Sequence, residues 1–297
     1  MSAPRQGAPS VQEMIKAGVQ ITSRQRRLAI ALYLVQLFVS LLFLVIVERA
    51  LASTFGHRPL FAHGVAGNTE ALLLSFAPQM AVTHTLAITG MGLAFGYLVL
   101  SLFLTGGLVG VFAGRSFGDT ALRWFLPYLR LWLWSLIPYA VCAAVVGIGM
   151  KIGGGGDIFE RLISLKLLLV RPLVFALPGL VLLAITMCAV DYARAQLVVG
   201  DPRGAIRALL GGFRFMVRNP GSLAHYGLYL LCWIAVTVLY VTATFGHPFA
   251  GAGGAWALFA LRQLVSLVRF GARVATTGGQ VALVLHASAP PSGGPST

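Results

Sequence analysis

The chain is 297 residues long, 58% hydrophobic and only 10% charged, with a mean hydropathy of +0.85. A water-soluble domain carries about 25% charged residues, so hydrocarbon must solvate most of this surface, and a soluble globular class is excluded. The net charge of +14 arises from 22 Lys and Arg against 8 Asp and Glu; these cluster between apolar runs with no basic–aromatic ladder, which points to membrane topology rather than nucleic acid.

Residues 1–27 form a polar N-terminal segment, with Arg5, Lys16, Arg24, Arg26 and Arg27 against Glu13. Residues 10–23 place Val11, Ile15, Val19 and Thr22 at helical spacing, which predicts a short amphipathic helix. A first span follows over 28–47, long enough for roughly 30 Å of hydrocarbon. Ala50-Leu51-Ala52 behind it resembles a signal-peptidase site. The apolar run exceeds the roughly 7–15 residues of a signal peptide, so an uncleaved signal-anchor is expected. The loop 48–79 has balanced charge, and 71–76 reads as a short interfacial helix. The second apolar run, 81–113, is too long for a perpendicular span. Its Gly106, Gly110 and Gly114 stand at four-residue steps, which predicts one face for close helix approach.

A basic insert over 115–130 leads into span three at 131–150, with Trp124, Tyr128, Trp132 and Trp134 read as an interfacial aromatic belt. Residues 151–166 read as a loop and a short helix. Span four covers 171–190. Asp191 and Arg194 at its exit are three residues apart, close enough for a local ion pair, and read either as the polar end of the span or as a headgroup or proton-linked site. A second basic insert follows. With Asp201 as N-cap and Pro202 in the first turn, Arg203, Arg207, Arg214 and Arg218 fall within roughly 60° of one helix face. Ile206, Leu209, Leu210, Phe213, Met216 and Val217 gather on the other, and Asn219-Pro220-Gly221 ends the helix. Two readings apply: a helix in the headgroup plane, arginines toward anionic phosphates, or a connecting helix packed under the bundle.

Span five covers 223–244, and 255–285 is a sixth, over-long span. In it Arg262, Arg269 and Arg273 share one face within about 40°. A central arginine in lipid costs about 2.5–3.5 kcal/mol. That face therefore either lines a wet or protein-filled interior, a candidate site for an anionic lipid or solute, or lies at the cytoplasmic surface. The tail from 287 to 297 is Pro-, Ser- and Gly-rich and reads as disordered.

Charge counted by connection alternates. The N-terminus carries five basic residues and one acidic, the insert 115–130 three and one, and the segment 191–218 five and two; 48–79 and 245–254 are neutral, and 151–171 is +2. The positive-inside rule then predicts six spans with both termini cytoplasmic. The expected architecture is an all-α polytopic membrane protein with one six-helix domain over 28–286 and cytoplasmic amphipathic helices.

Motifs for hydrolases, nucleotide binding and zinc peptidases are lacking in the sequence, so no catalytic residues, metal or cofactors are expected. His57 and His63, with Glu70, lack a metal-ligand spacing. Cys142, Cys188 and Cys232 read as small apolar packing residues.

The stretches TGGLVGVFAG, ALRWFLPYLRLW and VDYARAQLVVGDPRGAIRALLGGFRFMVRNP resemble a group of bacterial six-span inner-membrane proteins. The group includes YciC-like proteins and the membrane domain found fused to glycerophosphodiester phosphodiesterases. The resemblance covers roughly residues 25 to 286 and implies an α-helical inner-membrane domain with an envelope or lipid-related role. This sequence holds no phosphodiesterase domain, so no catalytic residues carry over. The resulting expectation is a non-enzymatic, multi-pass protein of the bacterial cytoplasmic membrane with a membrane-organising, lipid-interacting or scaffold role. Its partners would be the bilayer, anionic phospholipids, and other membrane proteins or a second copy. The alternative is a transporter or permease subunit with an arginine-lined path along the sixth span.

Overall fold

The computed structural model describes residues 9–55, 80–152, 165–200, 204–244 and 251–288. These form eight α-helices: α1 Val11–Arg24, α2 Arg26–Phe55, α3 Met80–Phe112, α4 Phe117–Ile152, α5 Leu165–Gly200, α6 Ala205–Arg218, α7 Pro220–Thr244 and α8 Gly251–Ser288. Four stretches among the described residues are long and apolar enough to cross a membrane: Gly90–Phe112, Phe117–Ile152, Val174–Gly200 and Pro220–Thr244. A fifth is added if Val11–Arg24 and Arg26–Leu42, which meet at 81°, count as one broken span. The expected sixth span is one unbroken helix, α8, but it falls outside this set; Arg262, Arg269 and Arg273 lower its apolar character.

The basic inserts are the main departure from the sequence reading. From Phe117 on, the insert 115–130 is not a separate segment but the first part of α4, which continues unbroken through Pro127 and Pro138. Likewise α5 does not end near Val190 but runs on to Gly200, so Asp191 and Arg194 lie inside a helix. Charge interrupts hydropathy, but it does not interrupt backbone hydrogen bonding. The 36 residues of each helix extend about 54 Å, roughly 24 Å more than a bilayer core requires.

Local signals explain the helix ends. Ser10 and Glu13 form a reciprocal capping box at the start of α1: the Ser10 N–H donates to Glu13 Oε2 at 2.7 Å, and the Glu13 N–H to Ser10 Oγ at 3.3 Å. The Ser116 hydroxyl donates to the Asp119 carboxylate ahead of α4. Gly114 is not on the packing face predicted for it. It has φ +77 and ends α3, with the Arg115 N–H donating to Gly110 O at 2.9 Å and the Gly114 N–H to Val111 O at 3.0 Å, a Schellman closure.

The Ser10 backbone N–H and hydroxyl hold the Glu13 carboxyl below the usual carboxylate range. A lowered folded pKa contributes stability that is present above the ordinary range and lost as pH falls through the lowered value. Protection of the first-turn amides of α1, taken relative to their intrinsic exchange rates, is therefore expected to fall only in acid. Glu13→Gln, which keeps the cap but cannot ionise, is expected to lose that acid step. Indistinguishable exchange profiles for wild type and variant would refute this.

The chain divides into two compact units. The first comprises Met1–Val19, Thr105–Gly227 and Thr276–Thr297. Its core is helix on helix: α4 packs on α5, and both pack on α6. Tyr128, Leu131, Tyr192, Leu197, Val198, Tyr226, Val281 and Gln280 are all buried there. Small residues set the crossings. A Cβ on Gly149 would collide with the Phe175 carbonyl, and one on Gly179 would lie 2.7 Å from the Val146 nitrogen. A Cβ on Gly110 would run into the Thr120 side chain, and one on Gly106 would lie 3.2 Å from the ring of Tyr128. Trp124 and Tyr128 are buried core residues rather than belt residues. The Trp134 side chain is exposed, as a belt residue would be.

The second unit comprises Gln20–Leu104 and Leu228–Ala275. Its described outer surface is apolar: Phe38, Met91, Phe95, Leu231, Leu239 and Trp256 are all more than 60% exposed. Inside it, Tyr33 of α2 donates its hydroxyl to Gln263 Oε1 of α8 at 3.0 Å and tilts against Phe270 at 5.9 Å.

Candidate functional site

The first candidate site lies on α6. The helix begins at Ala205, not at Asp201; Gly204 caps it at φ 139 without a side-chain hydrogen bond. A side chain at that φ would be strained, which suits glycine. Arg203, with Asp201 and Pro202, lies outside the described residues. Around the helix the side chains fall into three sectors rather than two. Ala208, Leu209, Gly212 and Met216 are buried, and Gly212 meets the Ala189 carbonyl and the nitrogen of Ala193 on α5. Arg207, Arg214 and Arg218 are exposed on the far side. Ile206, Leu210 and Val217 form a flank between them, exposed by 46%, 63% and 77%. The six apolar residues expected to share one buried face are thus divided. Leu209 and Met216 are buried, Phe213 is half-buried, and the other three are left for an apolar medium beside the arginines.

Beneath α6 lies the Asp191–Arg194 pair. Arg194 Nη1 donates to Asp191 Oδ1 at 3.2 Å, with the Asp side chain 7% and the Arg side chain 20% exposed. The Tyr128 hydroxyl of α4 donates to the Arg194 carbonyl at 3.0 Å, and Tyr192 packs against Phe215 of α6 at 5.1 Å. Val190, Tyr192, Ala193 and Ala195 are buried around it. The pair lies within α5 rather than at the end of a helix.

The sequence reading missed a buried polar group at the start of α7. Ser222 and His225 are buried, as is Gln280 of α8. A Cβ on Gly279 would fall 2.8 Å from the Met14 carbonyl and 2.9 Å from His225 Cε1, so α1, α7 and α8 meet there. His225 Nδ1 and Gln280 Nε2 have no hydrogen-bond partner among the described residues. A histidine within an apolar run carries no spacing signal, and only the helix crossing brings these residues together.

The second unit holds the arginine face of α8. It is turned onto α7. Arg262 Nε donates to the Tyr240 hydroxyl at 2.8 Å. Arg269 donates to the Thr237 hydroxyl and stacks over Trp233, 4.7 Å from the ring centroid. The Arg273 guanidinium lies 5.6 Å from the ring of Tyr229. Partners descend on α7 as the arginines ascend on α8, an antiparallel register between two helical stripes. A cation–π contact contributes about 0.5–2 kcal/mol and a net hydrogen bond about 1 kcal/mol. A guanidinium at the middle of a span costs about 2.5–3.5 kcal/mol. The ladder therefore offsets much, but not all, of the cost at Arg269. Its Nε is buried and has no hydrogen-bond partner, and neither Arg262 nor Arg269 has a carboxylate partner among the described residues.

No group of three or more His, Cys, Asp or Glu residues placed to hold a metal ion occurs among the described residues; His57, His63 and Glu70 lie outside them. Cys142 meets the Thr186 hydroxyl at 3.4 Å, and Cys232 is exposed. No family model, curated protein or solved structure matches this chain.

Proposed function

We propose that this chain is a non-enzymatic, six-span protein of the bacterial cytoplasmic membrane, both termini inside, that organises or senses anionic lipid through a cytoplasmic arginine collar. The three-sector surface of α6 carries the reading. The buried sector fixes the helix to α5, the exposed apolar flank suits the acyl boundary, and Arg207, Arg214 and Arg218 suit the phosphate layer. Arg203 extends the same face in sequence. The overrun of α4 and α5 beyond bilayer thickness supports it further: it provides a packed cytoplasmic platform on which α6 rests. The resemblance to six-span inner-membrane proteins belongs to this reading, as does self-association or contact with other membrane proteins as a scaffold. The Asp191–Arg194 pair serves here as the structural support beneath the collar.

The alternative, a transport path along α8, has less support because the arginines of α8 are engaged by α7 side chains rather than turned to an open lumen. Cysteine labelling along 262–273 checks this; helical periodicity of water access would favour the path.

The collar is tested in nanodiscs. Thermal stability of the full chain is expected to rise with the fraction of phosphatidylglycerol in phosphatidylcholine. Each surface arginine contributes about 1 kcal/mol to contact with an anionic membrane, and salt screens it. Arg207→Gln/Arg214→Gln/Arg218→Gln is expected to lose most of that dependence. A wild-type melting temperature indifferent to lipid charge would end the proposal.

A further inference from the structure

We infer that the seam between α7 and α8 holds the phosphate of an acidic phospholipid at Arg262 and Arg269, a second lipid site independent of the collar. Three observations converge there. First, both guanidinium groups lie opposite α7, a helix long and apolar enough to span a membrane. Neither has a carboxylate partner among the described residues. Second, Arg269 uses one side of its planar group on Thr237 and Trp233, while its buried Nε has no acceptor. A phosphate oxygen would supply one, in a bond with both partners charged, stronger than the present contacts in which only the guanidinium is charged. Third, the seam is open rather than sealed. Arg262 is exposed, and so is Trp233 at 41%.

The surroundings choose the kind of anion. Leu231, Val238 and Leu239 on α7, with Leu264 and Leu267 on α8, are exposed around the outside of this helix pair. A free anion would have to leave water to reach the seam. A phospholipid brings its own acyl chains to those apolar faces and presents only the phosphate to the cations. The aromatic ladder of Tyr229, Trp233 and Tyr240 then holds the guanidinium groups in place when no lipid is bound.

The test uses the full chain in detergent with an equimolar mixture of dioleoylphosphatidylglycerol and dioleoylphosphatidylcholine, read by native mass spectrometry. Wild type is expected to retain phosphatidylglycerol over phosphatidylcholine by about tenfold, as one extra charged hydrogen bond implies. Arg262→Gln/Arg269→Gln is expected to lose most of that selectivity, keeping only the weaker preference that the intact collar supplies. Arg269→Lys, which keeps the charge but loses the planar fork, should fall between. Should the double variant fail to fold, the wild-type selectivity and the lysine variant still decide the matter. The collar variant Arg207→Gln/Arg214→Gln/Arg218→Gln is expected to keep the retained lipid. Parity in wild type, selectivity unchanged in the double variant or in Arg269→Lys, or displacement of the lipid by inorganic phosphate would each overturn the inference. Loss of the lipid in the collar variant alone would overturn it too, while leaving the collar itself standing.

Discussion

Gly212→Val is expected to destabilise the purified protein by about 3 kcal/mol, at the upper end of the usual cost of overpacking. For a chain of this size that is a fall of roughly 6 °C in melting temperature. The reason is the nature of what the new side chain meets. A Cβ at Gly212 would run into the Ala189 carbonyl, with the Ala193 nitrogen at 3.0 Å and its methyl at 3.1 Å. Backbone of α5 cannot turn aside as the end of a flexible side chain can. Glycine inside a helix costs about 1 kcal/mol relative to alanine, so Gly212→Ala weighs that gain against the same collision. Alanine is expected to destabilise as well, but by less than valine. The second consequence is functional. If α6 is levered off α5, Leu209 and Met216 lose their burial, and on the proposed collar reading the arginines lose their placement toward lipid phosphates. Lipid-charge dependence of stability should weaken along with the melting temperature. A melting temperature for Gly212→Val within about 1 °C of wild type would refute the packing argument.

Hydropathy made part of this architecture readable in advance. The apolar runs at 81–113, 131–150, 171–190 and 223–244 all lie in long helices, because a hydrocarbon solvent leaves the backbone only its own hydrogen bonds. Four things were not readable. Hydropathy reports the solvent around a segment, not whether its helix continues, so Arg123 and Arg130 looked like connection while lying within α4. The two fates of the apolar face of α6 depend on which flank α5 occupies, and periodicity alone gives Leu209 and Leu210 equal standing; the structure leaves them 9% and 63% exposed. The arginines of α8 were recognisable as a face, but their partners on α7 depend on a register between two helices. His225 and Gln280 were silent for the same reason: each looks ordinary until a helix crossing buries it.

The Asp191–Arg194 pair gives the second large effect. Breaking a fully buried ion pair by removing one partner costs about 3–5 kcal/mol. Arg194 retains 20% of its side-chain exposure, so water can recover part of that loss when the carboxylate is neutralised. Asp191→Asn is therefore expected to cost about 2 kcal/mol, below the buried range. Arg194→Met is expected to cost more, about 3 kcal/mol, because the Asp191 carboxylate left behind is the deeper of the two, at 7% exposure. The backbone contact from Tyr128 to the Arg194 carbonyl survives every one of these changes, so it does not confound the comparison. Combining Asp191→Asn with Arg194→Met removes both charges, and the loss in the double variant is expected to be clearly smaller than the sum of the two single losses. Two charges that support each other must show that coupling. Additivity within about 0.5 kcal/mol would mean that the attraction between them contributes nothing to the fold. The sign of the difference between the single variants is diagnostic in itself. If the carboxylate end lay in water at a membrane exit, as the sequence suggests, removing the arginine would be the milder change.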